Sequence, residues 1–110
     1  MAYDEDLADR IREIVQDEGG LSEKKMFGGL AFLVGGNMAV AASGQGGLLL
    51  RVDPARSEEY VDGSTVDRMV MRGRAMDGWL RVVDAAVEED ADLRRWVGIG
   101  VDYARSLPAK

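Results

Sequence analysis

Lys25-Met26-Phe27-Gly28-Gly29-Leu30-Ala31-Phe32-Leu33-Val34-Gly35-Gly36-Asn37-Met38-Ala39-Val40-Ala41-Ala42 is the stretch on which the fold turns. Met26-Phe27 and Leu30 to Val34 are apolar on both alternating faces, the pattern of a strand covered on two sides. Gly35-Gly36-Asn37 follows and supplies the positive φ angles that a tight hairpin needs. Met38 to Ala42 reads as the return strand, Gly44-Gln45-Gly46-Gly47 as a second turn, and Leu48-Leu49-Leu50-Arg51-Val52 as a third strand. Residues 25–52 are therefore expected to form a three-stranded antiparallel meander, with no helix across Phe27–Val34.

Toward the N-terminus, Tyr3, Leu7, Ile11, Ile14 and Val15 make the apolar stripe of an amphipathic helix. Asp4, Glu5 and Asp6 stand at its start, where the helix dipole favours anions, and Gly19-Gly20 is expected to end it. Toward the C-terminus, Asp53-Pro54 opens a short helix with aspartate as cap and proline at the first position. Tyr60-Val61 and Gly63 close it. Met69-Val70-Met71 reads as a fourth strand, Arg72-Gly73-Arg74 as a turn, and Trp79 to Val83 as a fifth strand. A last helix begins near Asp90 to Asp92 and carries the stripe Leu93, Trp96, Val97, Val101, Ala104 and Leu107. The order α-β-β-β-α-β-β-α describes one α+β domain over 1–110: an antiparallel sheet of about five strands with flanking helices. Both faces of Leu30–Val34 look buried, and one helix layer covers only one face. A second copy of the chain is the expected cover for the other, since monomers seldom leave a large apolar patch in water.

Composition excludes much chemistry. The 110 residues contain no histidine and no cysteine. That removes the usual zinc sites, the Ser-His-Asp and Cys-His nucleophile systems and disulfides, and it argues against an enzyme; no catalytic residue, metal ligand or cofactor is assigned. Glu88, Glu89, Asp90 and Asp92 could offer oxygens to magnesium or calcium, but their spacing matches no EF-hand loop, and acids at a helix start are favoured anyway. Neither phosphate-loop glycine pattern occurs. The acidic start suits no signal peptide, and Leu30 to Val34 is far short of a membrane span, so the expected setting is the cytoplasm with no membrane contact.

The net charge of −6 argues against direct nucleic-acid binding. Against that background, residues 68–81 hold Arg68, Arg72, Arg74 and Arg81 with Asp77 as the sole acid. Arg68, Arg72 and Arg74 are the candidate partner- or anion-binding residues, because guanidiniums at a turn can grip a carboxylate or phosphate. The competing reading is a solvated turn whose arginines pair with Asp67, Asp77 or the acidic first helix. Gly98 and Gly100 interrupt the last helix, which implies either close packing there or early fraying.

Lys25-Met26-Phe27-Gly28-Gly29-Leu30-Ala31-Phe32, followed by Gly36-Asn37-Met38, resembles the N-terminal domain of the TfoX/Sxy family, whose members typically read Met-Phe-Gly-Gly, an apolar strand, then Gly-Asn-Met. Gly73-Arg74-Ala75-Met76 with Gly78-Trp79 looks like the family's later Gly-Arg-Pro-Met…Gly segment, with Ala75 in place of proline, and Trp96-Val97 matches its closing helix. The resemblance covers nearly the whole chain. It implies an α+β fold similar to the secretion-chaperone-like folds and an association with bacterial regulators of competence. It also implies structural roles for Met26, Phe27, Gly28, Gly29, Gly36, Asn37, Met38, Gly73, Gly78 and Trp79. The resulting expectation is a small non-enzymatic regulatory or adaptor domain that binds a protein partner, possibly its own copy. Its rivals are a ligand-binding protein or enzyme with an arginine-flanked pocket, and a nucleic-acid accessory domain using Lys24, Lys25 and Arg51 alongside the arginines.

Overall fold

The hairpin expected at Gly35-Gly36 is present: both glycines have positive φ, 61° and 81°, and Val34 pairs directly with Asn37. That is the two-residue primed turn whose twist suits antiparallel strands. The computed structural model describes residues 3–26 and 28–109. Its elements are α1 (Glu5–Val15), β1 (Leu21–Met26), β2 (Gly29–Val34), β3 (Asn37–Ala42), β4 (Leu48–Arg51), a 3-10 turn (Pro54–Arg56) leading into α2 (Ser57–Tyr60), β5 (Val66–Met71), β6 (Arg74–Val82), a 3-10 turn (Asp84–Val87) and α3 (Asp90–Ser106). The strands form one antiparallel sheet in the order β1-β2-β3-β4-β6-β5.

The sheet has six strands where about five were expected. The extra one, β1, hides because Ser22, Glu23, Lys24 and Lys25 are all exposed on an edge, so no apolar alternation marks it. The β2–β3–β4 meander stands, and no helix crosses 28–34; Phe27 falls outside the described residues. Helix α1 ends at Val15, four residues before Gly19, and the chain turns through Gln16–Gly20 into β1. Its start is as read: Asp4 Oδ1 accepts from the Asp6 and Leu7 amides at 2.9 and 3.2 Å.

Both long helices pack on one sheet face. Leu7, Ile11 and Val15 of α1 and Leu93, Val97 and Val101 of α3 share a core with Phe32, Val40, Leu50, Leu80 and Val82. Each such side chain contributes about 1.5–3 kcal/mol on full burial. Arg10 pins α1 to the start of α3, donating to the Val87 and Glu88 carbonyls (2.9 and 3.1 Å) and pairing with Asp90. Arg12 grips Glu23 of β1 through two bonds of 2.8 and 2.9 Å, and the guanidinium holds that carboxyl below its usual range.

Among the described residues, the cluster on the opposite face contains no helix residue. Ala31, Met38, Ala41 and Leu49 are buried there under the longer side chains of Met26, Leu33, Met69 and Trp79. Met26, Leu33, Met69 and Trp79 remain only half-buried, and Val70 and Val83 are the large apolar residues left exposed among those described. No described helix is long and apolar enough to cross a membrane.

Candidate docking surface

The sheet has two edges of opposite character. On β1 the outward stretch is Ser-Glu-Lys-Lys, and charged edge strands resist pairing with a further strand. The other edge, β5, reads Val66-Asp67-Arg68-Met69-Val70-Met71, and Val70 is 63% exposed.

The geometry of β5 follows from β6. Pairing runs regularly from Val66↔Val82 to Arg68↔Leu80, then jumps to Met69↔Met76, so Asp77-Gly78-Trp79 bulges out. Strand β4 stops at Arg51↔Trp79. Beyond it, residues 69–76 continue as a two-stranded ribbon closed by Arg72-Gly73, both at positive φ. Two-stranded ribbons are marginal alone, and this one leaves Val70, Arg72, Gly73, Arg74 and Ala75 exposed.

The three arginines part company here. Arg68 is committed to the fold: its Nε donates to Asp77 in the bulge at 2.9 Å, and its side chain lies 3.8 Å from Glu58. Such exposed pairs contribute about 0–1 kcal/mol. Arg72 and Arg74 at the ribbon tip make no ion pair with any described residue. None of the three borders the 530 Å³ groove that lies between α3 and residues 52–60.

Lys24 and Lys25 sit on β1, five strand spacings from β5, on the order of 24 Å. Arg51 is drawn over the rings of Trp79 and Tyr103 at 5.2 and 5.7 Å. These cations do not join the ribbon in one basic face. Among the described residues no three carboxylates converge as a metal site would need.

A carboxylate that pattern reading passed over launches β5. Asp62 accepts from the amides of Ser64, Thr65 and Val66 at 2.7, 2.7 and 2.9 Å and from the Thr65 hydroxyl. These donors hold its carboxyl well below the usual aspartate range. The signal was available in Asp62-Gly63-Ser64-Thr65, an Asx-turn sequence.

A family comparison matches residues 13–104 to the TfoX N-terminal domain. The chain belongs to the TfoX N-terminal domain family. No curated protein and no solved structure matches it. In this TfoX N-terminal domain the motif residues hold backbone crossings together. A Cβ on Gly29 would stand 2.1 Å from the Ala42 carbonyl oxygen, so only glycine lets β2 lie that close to β3. Gly28 (φ 73°) turns β1 into β2. Asn37, buried, donates from Nδ2 to the Pro108 carbonyl at 3.0 Å and ties β3 to the chain after α3. Met26 and Trp79 lie over the second sheet face, with Met38 buried beneath them. At Gly78 (φ 84°) the amide donates to the buried Ser57 hydroxyl at 2.6 Å, the carbonyl accepts from Val52 at 2.9 Å, and a Cβ would meet Pro54 at 2.9 Å. That crossing sets the bulge from which the ribbon projects.

Proposed function

We propose that this domain is a regulatory adaptor without catalysis of its own, which binds an extended acidic segment of a protein partner as an added strand along β5. The observation that carries the reading is the asymmetry of the edges: β1 is blocked by charge, whereas β5 ends in an exposed apolar ribbon tipped by two arginines without ion pairs among the described residues. Strand addition supplies affinity through main-chain bonds of about 1 kcal/mol net each. The arginines supply register and preference for acids on a chain that is otherwise acidic. The TfoX/Sxy resemblance gives the regulatory association, and a role of this kind in the cytoplasm needs neither cofactor nor metal.

The test is site-specific photo-cross-linking in cells at position 70, with position 22 on the opposite edge as control. The segment captured at 70 is then synthesised and titrated against the wild-type chain and a Val70→Asp/Arg72→Glu/Arg74→Glu variant. The expected result is an adduct from position 70, and affinity at least about tenfold weaker in the variant. Capture from position 22 alone, or equal affinities, would overturn the reading. An adduct of twice the chain mass would make a second copy the occupant.

A further inference from the structure

Helix α3 turns a second stripe away from the core. Arg95, Ile99, Asp102, Tyr103 and Ser106 fall at helical spacings of four, three, one and three, and they form one wall of the 530 Å³ groove. The opposite wall is Val52, Asp53, Arg56 and Tyr60. This volume is ordinary for small-ligand sites, about 300–1,000 Å³.

Two ring contacts fix how the walls align. Tyr60 meets Trp96 edge-to-face with centroids 6.1 Å apart, so the end of α2 lies beside the start of α3. Arg51 stands over Tyr103, so the Val52-Asp53 end lies beside the C-terminal part of α3. The groove is therefore polarised. Arg95 and Arg56, the latter stacked on Tyr60 at 5.6 Å, occupy one end. Asp102 and Asp53 occupy the other, and Ile99 lies between Arg95 and Asp102 along α3 as the apolar group of that wall.

Several of these groups are already engaged. Arg56 pairs with Glu59 at 3.0 Å, Asp53 accepts from the Ala55 amide at 2.9 Å, and the Ser106 hydroxyl donates to the Tyr103 carbonyl at 2.6 Å. Arg95, lying over Trp96 at 4.7 Å, and Asp102 make no ion pair with any described residue. Seven helical residues separate them, which is about 10 Å along the axis. An extended chain of three residues spans about the same length.

We propose that the groove binds a short zwitterionic peptide of tripeptide size, with its terminal carboxylate on Arg95, its terminal ammonium on Asp102 and an apolar central side chain on Ile99. The inference is independent of strand addition at β5.

Calorimetric titration of the full chain with Ala-Val-Ala, its N-acetylated form and its C-amidated form tests it. The free peptide binds saturably, and each blocked form binds about threefold more weakly, as loss of one exposed ion pair allows. Arg95→Glu and Asp102→Lys each reduce binding by about the same factor. The double exchange recovers part of it, because the peptide can lie in reverse. Both residues are exposed, so both variants should stay folded, with Asp102→Lys melting near the parent and Arg95→Glu slightly lower for the lost stacking on Trp96. No saturable binding below about 10 mM, equal binding of the blocked peptides, or indifference to both substitutions would overturn the proposal.

Discussion

Two glycines in α3 should answer the same substitution with opposite signs. In a helix interior, alanine is favoured over glycine by about 0.8–1.0 kcal/mol. A Cβ on Gly98 would meet nothing within 4 Å, so Gly98→Ala should keep most of that gain. For a chain of this size, that raises the melting temperature by about 4 °C. Two residues on, about 200° around the helix, the Gly100 position faces the sheet. There a Cβ would stand 2.4 Å from the Ala39 carbonyl oxygen and 2.8 Å from Leu50 Cδ1. An ordinary carbon–oxygen contact is about 3.3 Å or more, so helix and strand must part by nearly an ångström. Ala39 is main chain in an inner strand and Leu50 is fully buried, so little can yield. Overpacking of this kind costs about 1–3 kcal/mol, against which the helix gain of about 0.8–1.0 kcal/mol is set. The net for Gly100→Ala is a loss of up to about 2 kcal/mol, or up to about 8 °C. Thermal and urea unfolding of the two variants beside the parent measure both. Shifts of the same sign would refute the seating of α3 on β3.

Other consequences follow from single contacts. Ser57→Ala leaves the Gly78 amide buried without its acceptor and should cost about 1–3 kcal/mol in urea unfolding. The Asp62 carboxyl is depressed in the folded state, so its stabilisation is full above the unfolded value of about 3.9 and fades as pH falls below it. The melting-temperature gap between the parent and Asp62→Ala should therefore narrow from pH 7 toward pH 2; a constant gap would contradict this. With no histidine or cysteine, melts with zinc and with chelator should coincide, and a large zinc-dependent rise would contradict that.

The sheet's centre was legible because β2, β3 and β4 are apolar and separated by glycine turns, a local pattern. Strand β1 was not, because an edge strand needs no apolar face and shows Ser22 to Lys25 to water. Strand β6 begins at Arg74, five residues earlier than read, because Ala75 to Gly78 forms half of a bulged ribbon with little apolar alternation. The packing of Met26, Leu33, Met69 and Trp79 over Ala31, Met38, Ala41 and Leu49 is a tertiary fact that strand patterns do not carry. The same holds for the candidate site. Arg72 and Arg74 could be picked from a charge run, whereas Arg68 reads alike in sequence and is distinguished by Asp77 in the bulge and by Glu58. The α3 groove joins two walls at least 35 positions apart in the chain, and no local motif announces it.

Amide hydrogen exchange across the sheet, with and without the partner segment captured at position 70, tests strand addition most directly. Within Met69–Met71, the amides that β6 leaves unbonded should exchange more slowly in the complex, while those of Leu21–Met26 keep their free rates and that of Val66 stays bonded to Asp62. Protection on β1 or α3 with β5 unchanged would contradict the account.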